Sequence, residues 1–100
     1  MVTMSIDVLT LPERAGSRSE AQDLLRGLSR DLSGVKVRLD GSHLGAGSSS
    51  YMDELVKEVL EVRHAARLVL EDVTERAAGF ARSSAARRRV ADRLLLTTRS

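Results

Sequence analysis

The chain has 100 residues, a net charge of +2, 42% hydrophobic and 30% charged residues, and no cysteine. That length and balance fit one small globular domain, and the missing thiols exclude disulfide staples and thiolate metal sites. Its only aromatics are Tyr51 and Phe80, too few for a base-stacking nucleic-acid surface.

Met1 to Leu11 carries an acid, Asp7, and no basic start, so it does not read as a secretory leader. The longest apolar runs, such as Leu94-Leu95-Leu96, are far too short to span a bilayer. A cytoplasmic protein without membrane contact is expected. Within the same stretch, Ser5 to Leu11 reads as a short strand closed by Pro12. Ser17-Arg18-Ser19-Glu20 then has the form of a capping box. Ala21, Leu24, Leu25, Leu28 and Leu32 follow at helical spacing until Gly34, which predicts one helix over that span.

Val35-Lys36-Val37-Arg38-Leu39 alternates apolar and basic residues, as a strand with one better-covered face does. A glycine and serine loop leads into Met52, Leu55, Val56, Val59, Leu60 and Val62, a second helical stripe that runs to about Ala66. Arg67 to Glu71 reads as a strand whose apolar centre predicts burial on both faces. From Thr74 the pattern is alanine-rich and helical, with Ala77, Phe80, Ala81 and Ala85 on one face. It continues as one helix or two, with a short strand or tail at Leu95 to Thr98. Strands alternating with helices predict a small α/β domain, with a mainly parallel sheet of three to four strands and crossover helices. It is a single domain over 1–100, with a core at about 5–80 and a basic helix or tail at about 81–100.

The loop at 40–50 falls at the carboxyl end of a strand, where such sheets build their sites. Three readings of its serines stand side by side. In the first, Ser50 caps the helix by accepting the Asp53 amide, and Asp53 and Glu54 favour the positive helix end. The second is a dinucleotide site, but Ser50 replaces the third glycine and Gly45 lies too far beyond Leu39. A Walker loop would need a lysine before the serines. The third is a regulatory serine, where a phosphate of about −1.5 to −2 charge would meet backbone amides and the neighbouring carboxylates.

Val37-Arg38-Leu39-Asp40-Gly41, the loop, Ser48-Ser49-Ser50-Tyr51-Met52-Asp53-Glu54-Leu55 and the strand Leu68-Val69-Leu70 together resemble the STAS superfamily of sulfate transporter and anti-sigma factor antagonist domains. The likeness is closer to the bacterial STAS-like family of unassigned function, whose segment before the first helix is matched by Gly16-Ser17-Arg18-Ser19-Glu20-Ala21. It covers roughly residues 5 to 80. The resemblance implies a STAS-like fold and a non-catalytic, regulatory protein-interaction module with no cofactor. Its partner would be a histidine-kinase-like ATPase or an anti-sigma factor. In anti-sigma factor antagonists the helix start reads Asp-Ser-Ser-Gly-Leu-Gly and its first serine is phosphorylated, which falls on Ser49 here. Ser48, Tyr51 and Asp53 stand where that motif has its aspartate and glycines.

The partner surface expected from this likeness comprises Ser48, Ser49, Ser50, Tyr51, Asp53 and Glu54. Tyr51 is either an interface anchor, ring buried and hydroxyl paired, or a core residue. The alternative function draws on charge. Residues 75–100 hold 7 Lys or Arg against 2 acids, whereas residues 1–74 hold 9 against 12. Arg82, Arg87, Arg88, Arg89 and Arg93 would then form an anion- or nucleic-acid-binding face, or simply a solvated one. No enzyme is expected. His43 and His64 lack a ligand at i+4, and Asp53 and Glu54, being adjacent, face different directions on a helix. Asp40, at a strand end, is read as capping its own turn.

Overall fold

A computed structural model describes residues 5–99, so the part of the Met1 to Leu11 reading that rests on residues 1–4 lies outside the described residues. Four strands, β1 (Ser5–Thr10), β3 (Val35–Asp40), β5 (Arg67–Val73) and β6 (Leu94–Thr98), form one sheet in that spatial order, every pair parallel. Three helices make the crossovers: α1 (Arg18–Leu25), α2 (Ser49–Val56) and α3 (Glu75–Arg87). A second, two-residue ladder joins β2 (Arg14–Ala15) to β4 (Ala46–Gly47), tying the entry of α1 to the entry of α2. The chain is a small α/β domain with an all-parallel sheet, as the alternating pattern predicts. Among the described residues no helix is long and apolar enough to cross a membrane.

The helices share one face of the sheet. α1 packs on α2 and α2 on α3, and only alternate strand residues are buried: Val37 and Leu39 on β3, Leu68, Leu70 and Val73 on β5. Successive side chains on a strand point to opposite faces, so Arg38, Val69 and Glu71 lie on the uncovered face. There the Arg38 guanidinium forks onto the Glu71 carboxylate at 2.8 and 3.0 Å. The two-sided burial expected for 67–71 is therefore corrected. Sequential strand order puts every crossover on one side, and among the described residues no layer covers the opposite face.

Four further expectations change in detail. α1 stops at Leu25 rather than running to Gly34, because the Leu25, Leu28 and Ser29 carbonyls accept hydrogen bonds from the buried Arg63 guanidinium (2.9, 3.2 and 3.4 Å) and the chain turns there. Leu32 still reaches the core. The second helix ends earlier than Ala66: it continues from α2 as π turns over Lys57–Val62, and His64 follows in left-handed backbone. The wider turns slip the apolar stripe, so Val59 and Leu60 stay buried while Val62 is 51% exposed. β5 extends to Val73 through a bulge at Asp72, whose φ is 55°. The C-terminal pattern resolves as one helix and a strand. Arg89 takes the left-handed position after α3 at φ 59°, Val90 donates to Ala85 O at 2.9 Å, and the chain enters β6. The basic segment is thus part of the sheet and core, with Ala81, Ser84, Ala85 and Val90 all buried.

Gly41 shows why the loop after β3 begins as it does. Its amide donates to Glu71 O at 2.7 Å, and an added Cβ would lie 2.5 Å from Val73 Cγ1. Only glycine allows that approach. Arg99, just beyond β6, fixes the same loop by donating to Asp72 O (2.7 Å), Gly41 O (2.8 Å) and Leu44 O.

Candidate functional site: the serine rim and the acidic pair of the second helix

In this parallel arrangement the strand C-termini and the N-termini of α1, α2 and α3 meet at one edge. Ser48 is the N-cap of α2, in place of the expected Ser50. Its Oγ accepts the Tyr51 amide at 3.1 Å and donates to Gly16 O at 3.0 Å. Its own amide donates to Ala15 O at 3.0 Å. The β2–β4 ladder sets this register, because it places the residue after Gly47 against the entry of α1. Ser48 is therefore committed to structure. Ser49, the first helical residue, is exposed, and Ser50 is half-buried.

A cleft of about 690 Å³ opens beside Ser49. Gly16, Gly45 and Gly47 give it a backbone floor, Ser48 and Thr74 line it as the caps of two helices, and Arg76 and Phe80 form the far wall. The Arg76 guanidinium carbon sits 5.5 Å above the centre of the Phe80 ring, a cation–π contact that holds the charge over the opening.

Asp53 and Glu54 point elsewhere, and the structure closes them in. α2 is the middle helix of the layer, so its outward flank is roofed by long side chains from both neighbours. Asp53 accepts from Arg18 of α1 (2.7 Å), from Ser84 of α3 (2.6 Å) and from Arg88 through Nε (3.1 Å) and a terminal nitrogen (2.9 Å), with Arg87 at 3.4 Å. Glu54 accepts from the same Arg18 nitrogen at 3.1 Å and from Gln22, and Lys57 lies 3.2 Å away. The Arg88 hydrogen bonds, helped by those of Ser84 and Arg18, outweigh burial and hold the Asp53 carboxyl well below the usual carboxylate range. For Glu54, burial pushes upward, but Gln22, Arg18 and Lys57 together draw the carboxyl down. The two adjacent acids do face different sides, yet one arginine bridges both. Neither is available to a partner, which corrects their expected place on an open surface.

Tyr51 resolves to the core alternative. It is fully buried, its hydroxyl finds no hydrogen-bond partner among the described residues, and burial, followed by the nearby Glu20 charge, pushes it up to about 12. Of the expected partner face, Ser49 alone is exposed, with Ser50 beside it half-buried.

The C-terminal arginines do not assemble into one anion-binding face. Arg87 and Arg88 lie on Asp53, and Arg88 also meets Glu61 at 3.0 Å. Arg93 donates to Ala65 O and Leu60 O at 2.8 and 2.9 Å, closing the π turns. Arg82 and Arg89 are exposed. His43, in the loop after β3, and His64, just before β5, are exposed, and no group of three or more His, Cys, Asp or Glu among the described residues is placed to hold a metal. Asp40 caps its turn by accepting the Ser42 amide at 2.9 Å, which lowers its carboxyl below the ordinary value.

Sequence reasoning missed the residues that complete this region. Arg18 and Gln22 lie one helical turn apart on α1, a spacing that marks a shared face, but nothing local says that Asp53 and Glu54 stand opposite. Ser84 reads as a weak helix former until its hydroxyl is seen on Asp53. No family model, curated protein or solved structure matches this chain.

Proposed function

We propose that the chain is a non-catalytic interaction module of a bacterial regulatory system. It takes its protein partner, of the histidine-kinase-like ATPase or anti-sigma factor kind, on the rim made by loop 41–50, the first turn of α2 and the Arg76–Phe80 wall. The observation that carries this reading is Ser49, an exposed hydroxyl at the first position of a helix on the lip of a 690 Å³ cleft. Two features support it. The carboxylates that would repel a phosphate at that helix start are neutralised by Arg18, Arg87, Arg88 and Lys57. Arg76 sits in the first turn of α3, where the helix dipole disfavours a cation, and its stacking on Phe80 holds it over the cleft, where it would meet an anionic or acidic group.

The test is quantitative capture of the partner by wild type, Ser49→Ala and Ser49→Asp. A protein retained by wild type and by Ser49→Ala is expected to bind Ser49→Asp about tenfold more weakly, or ~1.4 kcal/mol. Equal recovery by all three sinks the Ser49 rim as the switch surface.

A further inference from the structure

Edge strands present a row of unpaired amides and carbonyls, and proteins normally blunt them with charge, proline, a bulge or a cover. β6 has none of the first two: it reads Leu94-Leu95-Leu96-Thr97-Thr98 and, among the described residues, pairs with β5 on one side only. Arg99 turns its amide to Val73 O at 2.9 Å. Backbone alternation then turns the Leu96 and Thr98 amides away from β5, toward the open edge. Leu95 is 45% exposed.

Between this strand and the flank of α3 runs a groove of about 400 Å³, lined by Arg82, Ala85, Ala91, Leu94, Leu95 and Leu96. It has one alanine wall and one leucine wall, with a cation at the rim. Unlike Arg87 and Arg88, Arg82 makes no ion pair among the described residues. The groove shares no residue with the serine cleft.

We propose that this edge binds an extended segment of another protein, which adds to the sheet beside β6, seats apolar side chains in the groove and meets Arg82 with a carboxylate. Strand addition draws affinity from main-chain hydrogen bonds and specificity from pockets for alternate side chains. The charge favours a foreign strand over a second copy. β6 carries no acid between Leu94 and Thr98, so a second β6 offers Arg82 no counter-charge from the paired strand itself, whereas an apolar strand bearing Asp or Glu supplies one.

The test pans random displayed peptides of about 12 residues, long enough for one strand, against the full chain. A synthetic copy of an enriched peptide is then titrated into wild type, Arg82→Glu and Arg82→Lys. Because Arg82 is exposed, neither substitution endangers the fold. Enriched peptides should alternate apolar residues and include an acid. Arg82→Glu should weaken binding about tenfold or more, Arg82→Lys should retain it, and bound peptide should slow hydrogen exchange at the Leu96 and Thr98 amides. The proposal is overturned by a panning that enriches nothing, by equal affinity for Arg82→Glu, by unchanged exchange at those amides, or by light scattering that shows the edge already closed in a dimer of this chain.

Discussion

Ser49 and Asp53 lie one turn apart on α2, yet the serine hydroxyl faces solvent while the aspartate is enclosed by Arg18, Ser84, Arg87 and Arg88. The difference comes from their neighbours. Asp53 sits midway along the central helix of a three-helix layer, within reach of arginines rooted on both flanking helices. Ser49 stands at the end, where the flanking helices have only begun and glycines leave a cleft. Acidity in the sequence is thus no guide to acidity on the surface, and the group open to solvent is the uncharged one.

The largest expected effect breaks the enclosed half of this comparison. Asp53→Asn keeps the shape and removes the charge on which three guanidinium groups converge, which should cost about 2 kcal/mol in urea denaturation. The figure is held below the usual range for a buried pair because the Arg18 and Arg87 side chains remain 52% and 66% exposed and screened by water. A loss under about 0.5 kcal/mol, the scale of an ordinary surface change, would mean that the roof of arginines contributes nothing.

Next in size is the cap. Ser48→Ala removes the bond to the Tyr51 amide and the tie to Gly16 and should cost about 1 kcal/mol, whereas Ser50→Ala should stay within about 0.5 kcal/mol of wild type. The opposite ranking would move the helix start back to where the sequence first suggested it. The smallest effect is at Tyr51. Tyr51→Phe deletes a buried hydroxyl without a partner, so stability should hold or rise by up to about 1 kcal/mol by thermal or urea unfolding. A loss larger than that would reveal a bond to the hydroxyl and would reopen Tyr51 as a working residue.

The strands and helices were legible because their periodicities are local: the alternation of Val35 to Leu39 and the stripe from Met52 to Leu60 each report their own covered face. Boundaries failed where distant groups set them. α1 ends where Arg63, 38 residues beyond Leu25, takes its last carbonyls, and no local signal foretells that. The N-cap moved from Ser50 to Ser48 because a two-residue ladder with Arg14–Ala15 sets the register. The serine rim was located by topology alone. The fate of Asp53 and Glu54 was not, since it depends on which arginines face them across two helix interfaces. The C-terminal arginines looked like a surface patch for the same reason.

The most direct test of the enclosed acidic pair is the titration of the Asp53 side-chain carboxyl, followed by carbon NMR in the folded protein. Its folded value is depressed, so its contribution to stability is fully present above the unfolded value of about 3.9 and is lost only as pH falls through the lower folded value. A midpoint well below the ordinary carboxylate range, with the stability gap between wild type and Asp53→Asn closing as pH falls toward it, is the predicted result. A midpoint at or above about 4, with a gap that does not depend on acid, would show that the carboxylate is solvated and open, and would contradict the division of α2 into a sealed clamp and an open rim.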